Sequence, residues 1–311
     1  MNHRILITGS SGLVGSALAR ELEGRGADVL GFDLRERGGA RGDIRQCAEV
    51  AAAVADVSGV VHLAAVSRVL WGERDPEGCW STNVDGTRNV LDAAAKSPRK
   101  PWVISASSRE VYGQPAVLPA SEDTPLRPVN IYGRSKVEGE RLVEQARRAG
   151  VRACTVRFSN VFGATTDHAD RVVPAFARAA VAGGELRVDG ADHTFDFTFI
   201  GDVARGVASL VDLLATGAAP PPPIHFVSGR PTTLAELAAL AIQLAGTTAT
   251  IAHASPRDFD VARFVGDGAR ARRLLDWQPR VALREGLHQL IRALRDQHEP
   301  AGPAARWEGG R

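Results

Sequence analysis

The sequence predicts a doubly wound α/β fold on three observations. Short apolar runs alternate with helical stretches, the first run ends in a glycine-rich turn, and the second ends in an acid. Arg4–Thr8 is an apolar run stopped at Gly9, and apolar residues from Leu13 to Leu22 then recur at helical spacing. Asp28–Phe32 is a second strand ended by Asp33, Gly59–Leu63 a third, Trp102–Ser105 a fourth and Arg152–Phe158 a fifth. Between them, Cys47–Ala55, Thr82–Lys96 and Ser135–Ala149 carry helical patterns. Such alternation builds right-handed βαβ units and a parallel sheet.

Past residue 160 the rhythm loosens. Val172–Ala182 and Leu234–Leu244 read as helices, Glu185–Asp189 and Thr194–Phe199 as strands, and Pro220–Pro223 as a stiff spacer. The expected organisation is a nucleotide-binding domain over 1–165, rejoined by 195–225. A smaller C-terminal substrate-binding region covers 166–194 and 226–296, and a disordered polar tail follows over 297–311. Ligands of open α/β sheets lie beyond the carboxyl ends of the strands, so the later elements are expected to cap that edge.

Composition narrows the partners. With 44% hydrophobic and 24% charged residues the chain reads as an ordinary globular protein, and a net charge of +2 provides no footprint for nucleic acid or membrane. Cys47, Cys79 and Cys154 are odd in number and scattered, which indicates neither a disulfide framework nor a metal site. No apolar run approaches the roughly 18 residues of a membrane span. A cytoplasmic location is expected.

The motif TGSSGLVG at Thr8–Gly15 places Gly9, Gly12 and Gly15 in a G-x-x-G-x-x-G spacing between a strand and a helix, with Ser11, Leu13 and Val14 completing the loop. Those glycines permit a tight turn, backbone approach to a pyrophosphate and close helix–strand packing, which makes the domain Rossmann-like. Asp33 lies 18 residues beyond Gly15, where a carboxylate accepts from the adenosine ribose and repels a 2′-phosphate, favouring NAD over NADP. Arg35 and Arg37 are the counter-signal, since they could pair with that phosphate. Asp43 and Ile44 either bracket the adenine or, for Asp43, cap the helix from Cys47.

Tyr132 and Lys136, four residues apart in YGRSK, share one helix face. A tyrosine of pKa about 10 needs adjacent positive charge to act as a base near neutrality. SASSREVYG at Ser105–Gly113 follows the fourth strand and carries Ser108, whose hydroxyl could bond both a substrate oxygen and Tyr132.

TGxxGxxG, a serine after the fourth strand and YxxxK, in this order, resemble the extended short-chain dehydrogenase/reductase family. More narrowly, the chain is similar to the NAD-dependent nucleotide-sugar epimerase/dehydratase branch over about residues 4–290. Supporting segments are HLAA (His62–Ala65), NVDGTRNVL (Asn83–Leu91), RFSNVFG (Arg157–Gly163), FDFTFIGDVARGV (Phe195–Val207) and LDWQPRVALREG (Leu275–Gly286). The resemblance implies Ser108, Tyr132 and Lys136 as the catalytic set, with Lys136 also on the cofactor. It implies Leu63, Ala64, Ala65 and Asn83 at the cofactor or supporting it, and Asn160 at the nucleotide sugar. It further implies retained NAD and a homodimer through Thr82–Lys96 and Ser135–Ala149. His62 is expected to be a hydrogen-bonded core residue, and Asp202 a helix cap.

Two positions depart from the pattern. Arg109 stands where dehydratases of the branch carry an Asp before Glu110, and a guanidinium supplies no proton at neutral pH. Glu110 is retained as a tentative catalytic residue for chemistry near C5, or else as a partner of Arg109 or Arg134. Phe195 replaces an Arg that the resemblance assigns to the diphosphate, with Arg257 and Arg263 as candidate substitutes. The leading expectation is a 4-epimerase working through a 4-keto sugar. A dehydratase or decarboxylase using Glu110, and a non-catalytic dinucleotide sensor, are the alternatives.

Overall fold

The computed structural model describes residues 4–36 and 38–298; Arg37 and residues 299–311, most of the expected tail, lie outside the described residues. The chain opens with β1 (Arg4–Thr8), α1 (Leu13–Gly24), β2 (Asp28–Asp33), the short β3 (Ala40–Arg41) and α2 (Cys47–Val54). β4 (Gly59–His62), α3 (Val69–Arg74), α4 (Pro76–Trp80), α5 (Gly86–Lys96), β5 (Trp102–Ser108), α6 (Ile131–Arg148) and β6 (Ala153–Phe158) follow. Next come β7 (Asn160–Phe162), α7 (Val172–Val181), β8 (Glu185–Asp189), β9 (Thr194–Phe195), β10 (Phe197–Phe199), α8 (Ile200–Ala215) and β11 (Ile224–Phe226). The last elements are β12 (Thr232–Thr233), α9 (Leu234–Ala245), β13 (Thr250–Ala254), β14 (Arg263–Phe264), α10 (Ala269–Leu275) and α11 (Leu283–His298).

Seven parallel strands form one sheet in the order β11-β6-β5-β4-β1-β2-β3. The chain runs outward from β1 to β3, then returns and runs the other way from β4. The β1/β4 boundary is therefore the switch point at which a crevice opens beyond Thr8 and His62. Strand residues alternate between two cores. Ile5, Ile7, Val61, Ile104 and Val156 pack with Leu18 and Leu22 of α1 and Val203, Val207 and Leu210 of α8. Leu6, Val60 and Val103 face the opposite way, onto α2, α5 and α6. Covering on both faces is why these strands read as continuous apolar runs. A third core, with Phe176, Leu186, Leu237, Leu290 and Ile291, holds α7, α9, α11 and β8 together.

Several expectations need correction. β5 continues past Ser105 to Ser108, because its ladder with β6 runs as far as Ser108 opposite Phe158. Thr82–Lys96 is not one α-helix: a π-helical turn, Ser81–Asp85, precedes α5. α6 begins at Ile131 rather than Ser135, since the Asn130 side chain accepts from the Gly133 N–H at 2.7 Å and caps it. Thr194–Phe199 is broken at Asp196, with β9 joining β12 and β14 while β10 joins β7. α11 extends through His298, past the expected start of the tail at 297.

Neither acidic cap survives. Asp43 grips its neighbour Arg45, and α2 is preceded by Gln46. Asp202 sits inside the first turn of α8 and reaches away from it. One oxygen accepts from the N–H groups of both Arg280 and Val281 at 2.9 Å, and the other pairs with Arg205 at 2.6 Å. A buried carboxylate thus ties the C-terminal segment to the sheet's helical cover. Asp202→Ala is expected to lower unfolding stability by about 2 kcal/mol, by leaving two N–H groups without an acceptor and the half-buried Arg205 without its counter-charge. Urea denaturation measures it, and a loss below about 1 kcal/mol contradicts this anchoring role.

Candidate active site

The cofactor crevice is defined by what cannot fit beside its glycines. Gly9 has φ +74°, and a Cβ there would come within 2.6 Å of the Ala64 nitrogen. The Leu63 N–H donates to the Thr8 carbonyl at 3.0 Å and the Ala64 N–H to the Thr8 hydroxyl at 3.3 Å, fastening the HLAA segment beside the glycine turn. A Cβ on Gly15 would strike the Gly9 carbonyl, so α1 starts hard against the turn. Gly12 precedes α1 without a capping side chain, so the first-turn N–H groups have no side-chain acceptor, as a pyrophosphate site requires.

Asp33 accepts from the Ser11 N–H at 3.3 Å and the Arg35 N–H at 2.9 Å. The Arg35 guanidinium lies 3.6 Å from Asp33 and donates to the Ser11 carbonyl at 3.3 Å, drawn toward the carboxylate. Glu36 bonds the Ser10 hydroxyl, adding a second acid beside the glycine turn. Two carboxylates and a glycine-lined helix start fit NAD. Ile44 is buried, and its carbonyl accepts from Asn89 at 2.9 Å.

The reactive side chains meet at the carboxyl edge of β5. Ser108, the last strand residue, caps the 3-10 turn Arg109–Tyr112 by accepting from the Glu110 N–H at 3.2 Å, and it lies near enough to Tyr132 to favour the phenolate. Lys136, one turn along α6, places its ammonium 5.9 Å from the Tyr132 ring and donates to the Ala106 carbonyl at 3.0 Å. Burial pushes the Tyr132 pKa up to about 12, opposed by the Ser108 hydroxyl and by the charge of Arg171. Burial brings Lys136 down to about 8. Proton abstraction by Tyr132 near neutrality therefore needs further positive charge, which the oxidised nicotinamide carries when bound.

The Asn83 side chain is engaged within the protein, as the structural alternative for it requires. Its amide accepts from the Val66 N–H at 2.8 Å and donates to the Val66 carbonyl at 3.0 Å and the Ser135 hydroxyl at 2.9 Å. His62 is a core residue as expected: buried, bonded to Thr8 and Thr87, and lowered to about 3 by desolvation.

On the substrate side, Glu110 is held at both oxygens, by Arg109 at 2.9 Å and Asn130 at 2.8 Å. Arg134 takes no part in that pairing. The Arg109 guanidinium lies 4.3 Å over the Phe195 ring, so the phenyl at the position expected to bear a cation carries one from β5's end instead. Arg109 Nη1, Asn160 Nδ2 and Asp196 Oδ1 are buried without hydrogen-bond partners among the described residues. Asn160 stands at the start of β7. Arg257 is paired with Asp260 at 2.9 Å, on a loop whose Phe259 carbonyl accepts from Asn130; Arg263 lies exposed on β14. Sequence spacing gave no signal for a clasp between two loops, in which Arg68 bonds Asp170, Arg171 bonds Ser67, and Trp71 packs edge-on to His168. Among the described residues, no group of His, Cys, Asp or Glu is placed to hold a metal, and no helix is long and apolar enough to cross a membrane.

A glycine-turned crevice joined to a Ser–Tyr–Lys set defines a dinucleotide-dependent enzyme, and the chain belongs to the NAD dependent epimerase/dehydratase family, whose model matches residues 5–223. That family is NAD-dependent and works on nucleotide sugars as epimerase, dehydratase or decarboxylase. The chain is 30% identical to a UDP-glucose 4-epimerase of Mycolicibacterium smegmatis, over 95% of this chain and all of that protein. It is 29% identical to UDP-glucuronic acid decarboxylase 1 of Xenopus tropicalis, over 95% of this chain and 73% of the relative. Among solved structures it resembles MoeE5 in complex with UDP-glucuronic acid and NAD, with a TM-score of 0.87 and 27% identity, covering 94% of this chain and 99% of the other.

The buried histidines make an acid-stability prediction. His62 and His225 fall from 6.5 to about 3 through burial, so between those values they stay neutral when folded and take up protons on unfolding. Asp196, raised from 3.8 to about 6 by burial, acts in the opposite sense. These three groups together give a net uptake of about one proton on unfolding between about pH 4 and 6, so stability falls as pH drops. Urea titrations across this range measure the slope. His62→Gln is expected to make it shallower, and an unchanged slope removes His62 from the account.

Proposed function

We propose that the chain is a nucleotide-sugar 4-epimerase that oxidises the sugar C4 hydroxyl transiently. The observation carrying this reading is the Ser108–Tyr132–Lys136 set at the crevice edge, beside a Glu110 whose oxygens are already engaged. NAD, held by the Gly9–Gly15 loop, Asp33 and Lys136, supplies the hydride acceptor and donor. Tyr132 removes the C4 hydroxyl proton and later returns it to the keto oxygen. Ser108 orients that oxygen through its hydroxyl, and Asn160 donates to the substrate. Inversion requires the 4-keto sugar to present its other face before C4 is reduced, and no additional acid or base is needed. The full-length likeness to the Mycolicibacterium epimerase supports this reading.

A second reading, dehydration or decarboxylation through Glu110, is favoured by that carboxylate being near enough for its charge to act on Tyr132 and by the decarboxylase relative. A sensor without turnover is disfavoured by the complete Tyr–Lys pair.

Incubation with UDP-glucose and UDP-glucuronic acid, followed by mass spectrometry and NMR, separates the reactions. Epimerisation yields a new sugar signal at unchanged mass; loss of water or carbon dioxide replaces the proposal with the second reading. Tyr132→Phe is expected to cut turnover by at least about 10²-fold while NAD still binds, and retained turnover sinks the mechanism. Glu110→Gln is expected to keep turnover within about tenfold yet lower the melting temperature, because buried Arg109 loses its counter-charge. Abolished turnover in a stably folded variant would instead make Glu110 a chemical participant.

A further inference from the structure

Arg68, Arg109 and Arg171 are not equally matched in charge. Arg109 is paired with Glu110 at 2.9 Å. Arg68 bonds both the carboxylate and the backbone carbonyl of Asp170. Arg171 ends on neutral acceptors, donating from Nη2 to the Ser67 hydroxyl at 3.0 Å and the Ser67 carbonyl at 3.4 Å. Its nearest carboxylate, Asp167, stands 3.5 Å from Nε, longer than an ordinary charge-assisted hydrogen bond. Burial raises the Asp167 pKa, which weakens it as a counter-charge, and its Oδ2 is buried without a partner among the described residues. The Arg171 side chain remains about a quarter exposed (26%), within reach of a ligand.

Its place relative to the chemistry is set by short links. Arg171 precedes α7 and closes onto the 66–72 segment. Asn83 holds Val66 in that segment and donates to Ser135, whose hydroxyl donates to the Tyr132 carbonyl at 2.7 Å. Gly72 lies so close that a Cβ would come within 3.3 Å of the Tyr132 nitrogen. The guanidinium is near enough for its charge to act on the Tyr132 hydroxyl.

We propose that Arg171 recognises a carboxylate on the sugar, making the substrate class a nucleotide-linked hexuronate. This deepens the reading above and rests on its assignment of C4 to Tyr132. In a pyranose the C6 group hangs from C5, next to C4, so a cation beside Tyr132 is within reach of C6. The diphosphate leaves from C1, across the ring, and falls at the other end of the site. A neutral hydroxymethyl group would leave the guanidinium with only the long contact to Asp167, whereas a planar carboxylate matches its fork of donors.

Binding to the NAD-loaded full chain carrying Tyr132→Phe tests this without turnover, with UDP-glucuronate, UDP-glucose and UDP as probes in calorimetry. UDP-glucuronate is expected to bind at least about tenfold more tightly than UDP-glucose, as for a charge-assisted pair. Adding Arg171→Gln is expected to erase that preference while UDP binds as before, and Arg171→Lys to restore part of it. Equal affinities before the second change overturn the proposal. Equal weakening of all three probes also overturns it, by assigning Arg171 to the diphosphate. Absence of a mass-neutral product from the wild-type chain counts against 4-epimerisation alone, because the binding preference is read independently.

Discussion

The geometry of the candidate site hangs on one buried ion pair, Arg157 of β6 with Glu140 of α6. Arg157 Nη2 and Nε meet the two carboxylate oxygens at 2.6 and 2.8 Å, and both side chains are almost fully enclosed. Such a pair is tolerable only when its remaining hydrogen-bonding capacity is satisfied. Here Ser107 donates to Glu140 at 2.5 Å, while Arg157 Nη1 reaches the Tyr112 hydroxyl and the Glu122 carbonyl. Glu140 is one turn beyond Lys136, and Ser107 immediately precedes Ser108. The same contacts therefore set the catalytic helix against the strand that delivers the serine. Tyr112 continues the chain of contacts to His225 of β11, binding the active-site turn to the far edge of the sheet.

Around that frame the reactive side chains are enclosed, and enclosure works against their own chemistry. Enclosure raises Tyr132 and lowers Lys136, so both groups are held away from their charged forms. A bound cationic ring offsets this for the phenol, which couples the base's competence to occupancy of the glycine-lined crevice. The same economy of charge explains the Arg109–Phe195 contact. Glu110 neutralises the guanidinium, and the Phe195 ring supports its face, so a cation is accommodated among apolar neighbours of the C-terminal region.

Much of the fold was legible because periodicity reports which faces are covered. Strands buried on both sides appear as unbroken apolar runs, and the helices between them keep a single apolar stripe. The glycine loop, Asp33, Ser108, Tyr132 and Lys136 were legible for a different reason: each depends on a short stretch of backbone with restricted geometry. Element ends were less so. β5 reaches Ser108 through its ladder with β6, and α6 starts early through Asn130; both depend on partners that local pattern does not weigh. Asp202 and Asn83 carry short polar side chains that suit several roles. Asp202 went to the 280–281 backbone and Asn83 to Val66 and Ser135, contacts made across distances of 17 to 79 residues along the chain.

By itself, then, the sequence determined the sheet-and-helix order, the glycine turn and the Ser–Tyr–Lys set proposed for proton transfer, because these follow from neighbouring residues and fixed spacing. Tertiary structure alone decided how charge is distributed around that set. Whether Glu110 is free or held, whether Phe195 leaves its site without a cation, and which arginine lacks a full counter-charge are all settled by side chains from separate elements meeting in a low-dielectric interior. Electrostatics there depends on distance and burial, and neither is written in the spacing of residues along a chain.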